Sequence, residues 1–187
     1  MTLDRRSILR YAGGAAVVAT AAATGQSGTS YAAASRPRTS AETDPVEVFQ
    51  RFITATENND WTGLANCYSV DTVVEIPFAP PGVDPVTNGR AALLARFEQS
   101  AGVVQFTSVD PVSIRRTDDP TVICTEYTVN GTVVKTGKAF SFQYATVTTI
   151  KDGEITHSRD YSNPLAGAEA MDQLPALFSA LTGGTCT

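Results

Sequence analysis

The chain has 187 residues, 14 basic and 19 acidic side chains, and a net charge of −5. That acidic balance argues against nucleic acid and anionic lipid as partners, because both are bound through clustered positive charge. A single histidine, His157, and three cysteines without a CxxC pair leave no pattern for a zinc site, and no metal or cofactor is implied.

The chain opens on Asp4-Arg5-Arg6-Ser7-Ile8-Leu9-Arg10, the charged region expected of a twin-arginine export signal. An alanine-rich apolar stretch follows to about residue 24. It is shorter than the roughly 20 residues needed to span a bilayer. Small residues around Ala32-Ala33-Ala34 suit cleavage, so residues 1–34 read as a signal and 35–43 as a polar, flexible leader. The rest, 44–187, is the size of one domain, and residues 35–187 together carry a net charge of −7, from 11 bases and 18 acids. Nothing in it is apolar enough to cross a membrane, and the export signal makes an extracytoplasmic location the expectation. Twin-arginine export carries folded proteins, which argues against an essential disulfide. Cys67 and Cys124 then read as small buried residues, with a single disulfide as the alternative.

Asp44-Pro45 is a helix start, and Val46, Phe49, Ile53 and Thr56 recur at helical spacing over 45–58. Asp60 caps a second short helix carrying Trp61, Leu64, Ala65 and Tyr68. Residues 71–78 alternate as a strand, 79–88 form a proline-rich loop, and 89–99 form a third helix. Strands are expected at 103–116 and 121–129, with Asn130-Gly131 as a hairpin turn. A long strand at 133–150, bulged near Gly137, is followed by a turn at 151–153 and a strand at 154–162. A tail helix at 165–181 is interrupted by Pro175. The order is α+β. A curved, mostly antiparallel sheet wrapped by three N-terminal helices leaves a concave face, and such a face can become a pocket.

Several segments carry a resemblance. Residues 48–77 (VFQRFITATENNDWTGLANCYSVDTVVEIP) run in step with the first helices and strand of ketosteroid isomerases. Asn88-Gly89-Arg90-Ala91-Ala92-Leu93 is similar to the start of the third helix in many nuclear transport factor 2-like proteins. Asp152-Gly153-Glu154-Ile155 through Arg159-Asp160-Tyr161-Ser162-Asn163-Pro164 resembles their last hairpin and strand. The chain thus resembles the SnoaL-like group of that cone-shaped superfamily. The resemblance implies a small-molecule pocket and often a homodimer built on the open sheet face. It specifies the reaction poorly, because the fold hosts isomerases, cyclases, hydrolases and non-enzymatic binders.

Residue by residue, the steroid isomerase set is missing. The base position holds Ile76, the tyrosine donor position Phe52, and the protonated-carboxyl position Thr146. Glu75 neighbours the base position but points to the opposite face. The limonene-epoxide-hydrolase set lacks its arginine beside Glu126, and the phenazine branch's early histidine has no counterpart. One group remains: Asp160, which several branches place in the pocket. Strand parity puts Ser158 and Ser162 on its face and His157, Arg159 and Tyr161 on the other. Parity also groups Phe140, Phe142, Tyr144 and Thr146 on the inner side of the long strand. The expected site is therefore Asp160 with Tyr144 as acid–base and donor groups. Around them a largely apolar lining is expected from Phe52, Trp61, Tyr68, Val74, Ile76, Phe78, Phe97, Phe142, Thr146 and Ser158. Two readings follow. The domain is either an acid–base enzyme of isomerase, cyclase or hydrolase type, or a non-catalytic ligand-binding or dimeric interaction module.

Overall fold

Among the described residues six strands pair in the order β2-β1-β6-β5-β4-β3, mixed only where β1 runs parallel to β6. They are β1 (Tyr68–Glu75), β2 (Val86–Asn88), β3 (Val104–Arg116), β4 (Val122–Val133), β5 (Ala139–Lys151) and β6 (Glu154–Ser162). The helices are α1 (Pro45–Glu57), α2 (Trp61–Ala65), α3 (Arg90–Ala101), α4 (Pro164–Ala170) and α5 (Leu174–Thr182). This computed structural model describes residues 43–182. The expected signal at 1–34, nearly all of the leader, and Cys186 lie outside the described residues. Among the described residues no helix is long and apolar enough to cross a membrane.

Local chemistry starts the first two helices where the sequence places them. The Asp44 carboxylate accepts from the Val46 N–H at 2.9 Å, with Pro45 in the first turn, and Asp60 accepts from the Gly63 N–H at 2.8 Å. Between these helices Asn59 adopts φ 53°. Its side chain accepts from the Phe106 N–H at 2.8 Å and donates to the Phe106 carbonyl at 2.9 Å. That reciprocal pair fixes the α1–α2 corner against β3. Register shifts in β3, between Phe106 and Ser108 and between Val109 and Val112, mark bulges that bend the sheet into a cone. Val48, Phe49, Leu64, Leu93 and Phe97 of the helices pack on Ile123, Val129, Phe140 and Ile155 of the sheet.

Four expectations are corrected. Tyr68 is the first residue of β1, not part of the second helix, and the strand covers 68–75 rather than 71–78. It stops short of Pro77, which has no N–H for a ladder. The expected loop 79–88 contains β2, which pairs Thr87 with Val74. Asn130-Gly131 is no turn: β4 runs through it, pairing Gly131 with Phe106 on one side and Phe140 on the other. A Cβ on Gly131 would lie 2.6 Å from Phe140 Cζ and closer still to the Gln105 carbonyl. The glycine is there for close approach, not for turning. The hairpin turn lies instead at 134–138, where Gly137 takes φ +69° and donates to the Val133 carbonyl at 2.8 Å. Finally, the expected tail helix is interrupted at 171–173 rather than at Pro175, which lies in the first turn of α5.

Candidate functional site in the cone

The inner face of the sheet and helices α1, α2 and α3 enclose a cavity of about 50 Å³. That is room for a few water-sized groups. Its walls are mostly rings and aliphatic chains: Phe52 from α1, Tyr68, Val74 and Ile76 from β1 and its end, and Phe97 from α3. Tyr127 and Tyr144 stack across β4 and β5 with ring centroids 5.1 Å apart and an interplanar angle of 11°. Phe52 meets Tyr68 and Tyr127 edge-on at 6.3 and 6.1 Å.

Asp160 enters this lining from the middle of β6, opposite Thr146 of β5. Burial is the main influence on it and pushes its pKa up from 3.8 to about 6. A hydrogen bond from Ser158 Oγ at 2.5 Å, the positive charge of Arg96 and, least, the influence of His157 oppose that rise. Ser158 is the end of a buried hydroxyl chain. Thr125 and Thr146 meet at 2.7 Å, Thr146 and Thr148 at 3.1 Å, and Thr148 and Ser158 at 3.4 Å. These hydroxyls satisfy one another in a region without water access, and the chain fixes the Ser158 hydroxyl against the carboxylate.

Burial also raises the pKa of the Tyr68, Tyr127 and Tyr144 hydroxyls, with the Asp160 charge adding to it. They are neutral donors at physiological pH. Arg96 is the one cation of the lining among the described residues. It is 7 % exposed, and burial lowers its pKa while Asp160 and the tyrosines act in the opposite direction. Its Nε and Nη1 have no hydrogen-bond partner among the described residues.

The structure thus brings together Asp160, Tyr144, Phe52, Tyr68, Val74, Ile76 and Phe97. Ser158 and Thr146 stand behind the carboxylate in the hydroxyl chain. Three expected lining residues lie elsewhere. Phe78 is 61 % exposed and packs edge-on against Tyr161 outside the cone, because the chain leaves the sheet at Pro77 before reaching it. Trp61 leans on Phe106 at 5.4 Å, and Phe142 is stacked on Phe140 at 4.2 Å within the core. Glu75 faces outward, as strand parity requires. It binds His157 Nε2 at 2.8 Å and Arg159 Nε at 3.1 Å, so no base stands beside Ile76.

Sequence reasoning missed Arg96 and Tyr127. Both were signalled. Leu93, Arg96, Phe97 and Ser100 share the buried stripe of α3, so an arginine sits on an apolar face. Tyr127 alternates with Thr125 and Val129 on the inner face of β4.

The arrangement can take or give a proton near pH 6 at Asp160, donate hydrogen bonds from neutral tyrosines, and balance negative charge at Arg96. Among the described residues no group of three or more His, Cys, Asp or Glu side chains could hold a metal ion.

The SnoaL-like domain model matches residues 49–158. A PhzA/B-like protein of Pseudomonas aeruginosa is 29 % identical over 139 residues, which cover 73 % of this chain and 96 % of that one. The crystal structure of a candidate isomerase of Bacillus subtilis superposes with a TM-score of 0.66 at 25 % identity, over 70 % of this chain and 94 % of that one. The fold recurs in a nuclear transport factor 2-like protein of Burkholderia xenovorans, at TM-score 0.55 and 22 % identity, over 70 % and 97 % of the two chains. Through the family match to most of its folded region, this chain belongs to the SnoaL-like domain family.

Proposed function

We propose that this protein binds a small, largely apolar molecule in the cone and transfers a proton to or from it through Asp160. The observation that carries the reading is a carboxyl group poised near pH 6 on the wall of an otherwise ring-lined cavity. Such a group suits removal of a proton beside a carbonyl and its return at another atom, as an isomerase or cyclase requires. Tyr144, in the same lining, is the candidate to steady a developing oxyanion by donating its hydroxyl. The likeness to a candidate isomerase supports the same class. The absence of the steroid isomerase groups at Phe52 and Ile76 means that any such chemistry uses a different constellation.

The test is solvent-deuterium incorporation into small cyclic and acyclic ketones, followed by proton NMR with wild type and Asp160→Asn. Exchange in the wild type, lost in the variant, is the expected result. Equal exchange in both removes Asp160 from the mechanism.

A second reading, a dimeric interaction module, draws on the outer face of the sheet. Phe78, Val112 and Tyr161 line an open groove there, and Phe78 and Val112 are exposed. Sedimentation of the mature chain with and without Val112→Glu tests for a homodimer. Export through the twin-arginine route stays part of the proposal. It rests on Arg5-Arg6, and Arg5→Lys with Arg6→Lys should hold the full chain in the cytoplasm.

A further inference from the structure

Arg96 is a poor fit to a cavity that holds only neutral ligands. A guanidinium carries five N–H donors and no acceptor. Buried donors left unpaired cost stability, more so when charged. Here two of the three nitrogens are buried without a hydrogen-bond partner among the described residues, and the side chain lines the cavity. A hydrophobic residue in the same stripe of α3 would pack without that cost.

We propose that the ligand of this cavity is a compact monocarboxylate, held by the Arg96 guanidinium with its remaining atoms among the rings and beside Asp160. The proposal rests on the reading that the cone is the binding site, and it adds the ligand class. Charge decides between anions. Among the described residues one arginine is the only cation of the lining, and Asp160 already supplies a carboxyl group, so a dianion or a second carboxylate would meet repulsion. Size decides the rest. A cavity of about 50 Å³ takes a short chain or small ring, not a fused ring system, unless the rings move.

Binding has a consequence for the neighbouring acid. The groups facing Asp160 are Ser158, Arg96 and the hydroxyls of Tyr68, Tyr127 and Tyr144, with His157 acting from behind the strand. A carboxylate on Arg96 cancels the cation that favours ionised Asp160. Asp160 then stands protonated next to the ligand, ready to donate.

The experiment compares propionate with propionamide, and cyclopentanecarboxylate with its amide, by calorimetry and by NMR of the tyrosine rings. Wild type, Arg96→Met and Arg96→Lys are used, each checked for folding by circular dichroism. The wild type should bind each acid about tenfold or more tighter than its amide, the effect of hydrogen bonds to a charged group. Arg96→Met should lose that preference while amide binding stays the same, and Arg96→Lys should keep part of it. Binding of the acids near pH 6.5 should also take up protons. Amides that bind as well as acids in the wild type, or a preference retained in Arg96→Met, overturn the carboxylate proposal and leave the cone as the site. Ring resonances unmoved by any of the four compounds overturn both the proposal and the reading beneath it.

Discussion

Replacing Asp160 by asparagine should stabilise the protein, and by an amount that depends on pH. In the unfolded chain this carboxyl titrates at its ordinary value of 3.8, and in the folded protein burial holds it at about 6. A folded pKa raised above the unfolded one means that the folded state is penalised once the group must ionise. The penalty is absent below pH 3.8. It grows as pH rises through the window between 3.8 and about 6, and it is complete above. A shift of that size is worth about 3 kcal/mol at full ionisation. Asparagine keeps the shape, still accepts from Ser158, and never ionises. The free energy of unfolding of Asp160→Asn minus that of the wild type should therefore rise by about 3 kcal/mol between pH 3 and pH 8. Urea unfolding at half-unit pH steps measures it, with Trp61 fluorescence and far-ultraviolet circular dichroism as independent probes. A flat difference refutes the buried-acid account. A difference that falls with rising pH would mean that Arg96 holds the carboxylate ionised, and the site would then be a structural ion pair.

Two further outcomes follow from the same geometry. Ser158→Ala removes the hydrogen bond that favours ionised Asp160, so the carboxyl should titrate above pH 6, read by carbon-13 NMR of the aspartate side chains. Gly131→Ala puts a methyl group against Phe140 and the Gln105 carbonyl and should cost about 1–3 kcal/mol in urea unfolding. Were Gly131 a turn residue outside the sheet, that change would be mild.

The fold was legible wherever one residue type dictated local geometry. Asp44-Pro45 and Asp60 start helices by side-chain acceptance, and the alternation of β5 and β6 sorts their faces correctly. It failed where the same residue type serves two ends. Gly131 looks like a turn because glycine permits turning, but here it permits two neighbours to approach, and only the three-strand register reveals that. Phe78 looks like a core residue because it is aromatic, but the sheet ends before it. The site divides in the same way. The strand motif and its parity place Asp160 on the inner face, and there it lines the cavity. Arg96 is not legible, because a charged residue on a helix usually faces water and its burial follows from which side of α3 the sheet occupies. The hydroxyl chain from Thr125 to Ser158 depends on cross-strand register between β4, β5 and β6, which no single strand displays.

Direct titration of the Asp160 carboxyl carbon by NMR bears hardest on the account, because both the proton transfer and the choice of ligand depend on that group. Assignment by comparison with Asp160→Asn isolates its signal. A midpoint near pH 6 is expected in the ligand-free protein. A midpoint at or below the ordinary aspartate value of 3.8 would contradict it, because the group would then be a fixed anion in the functional range.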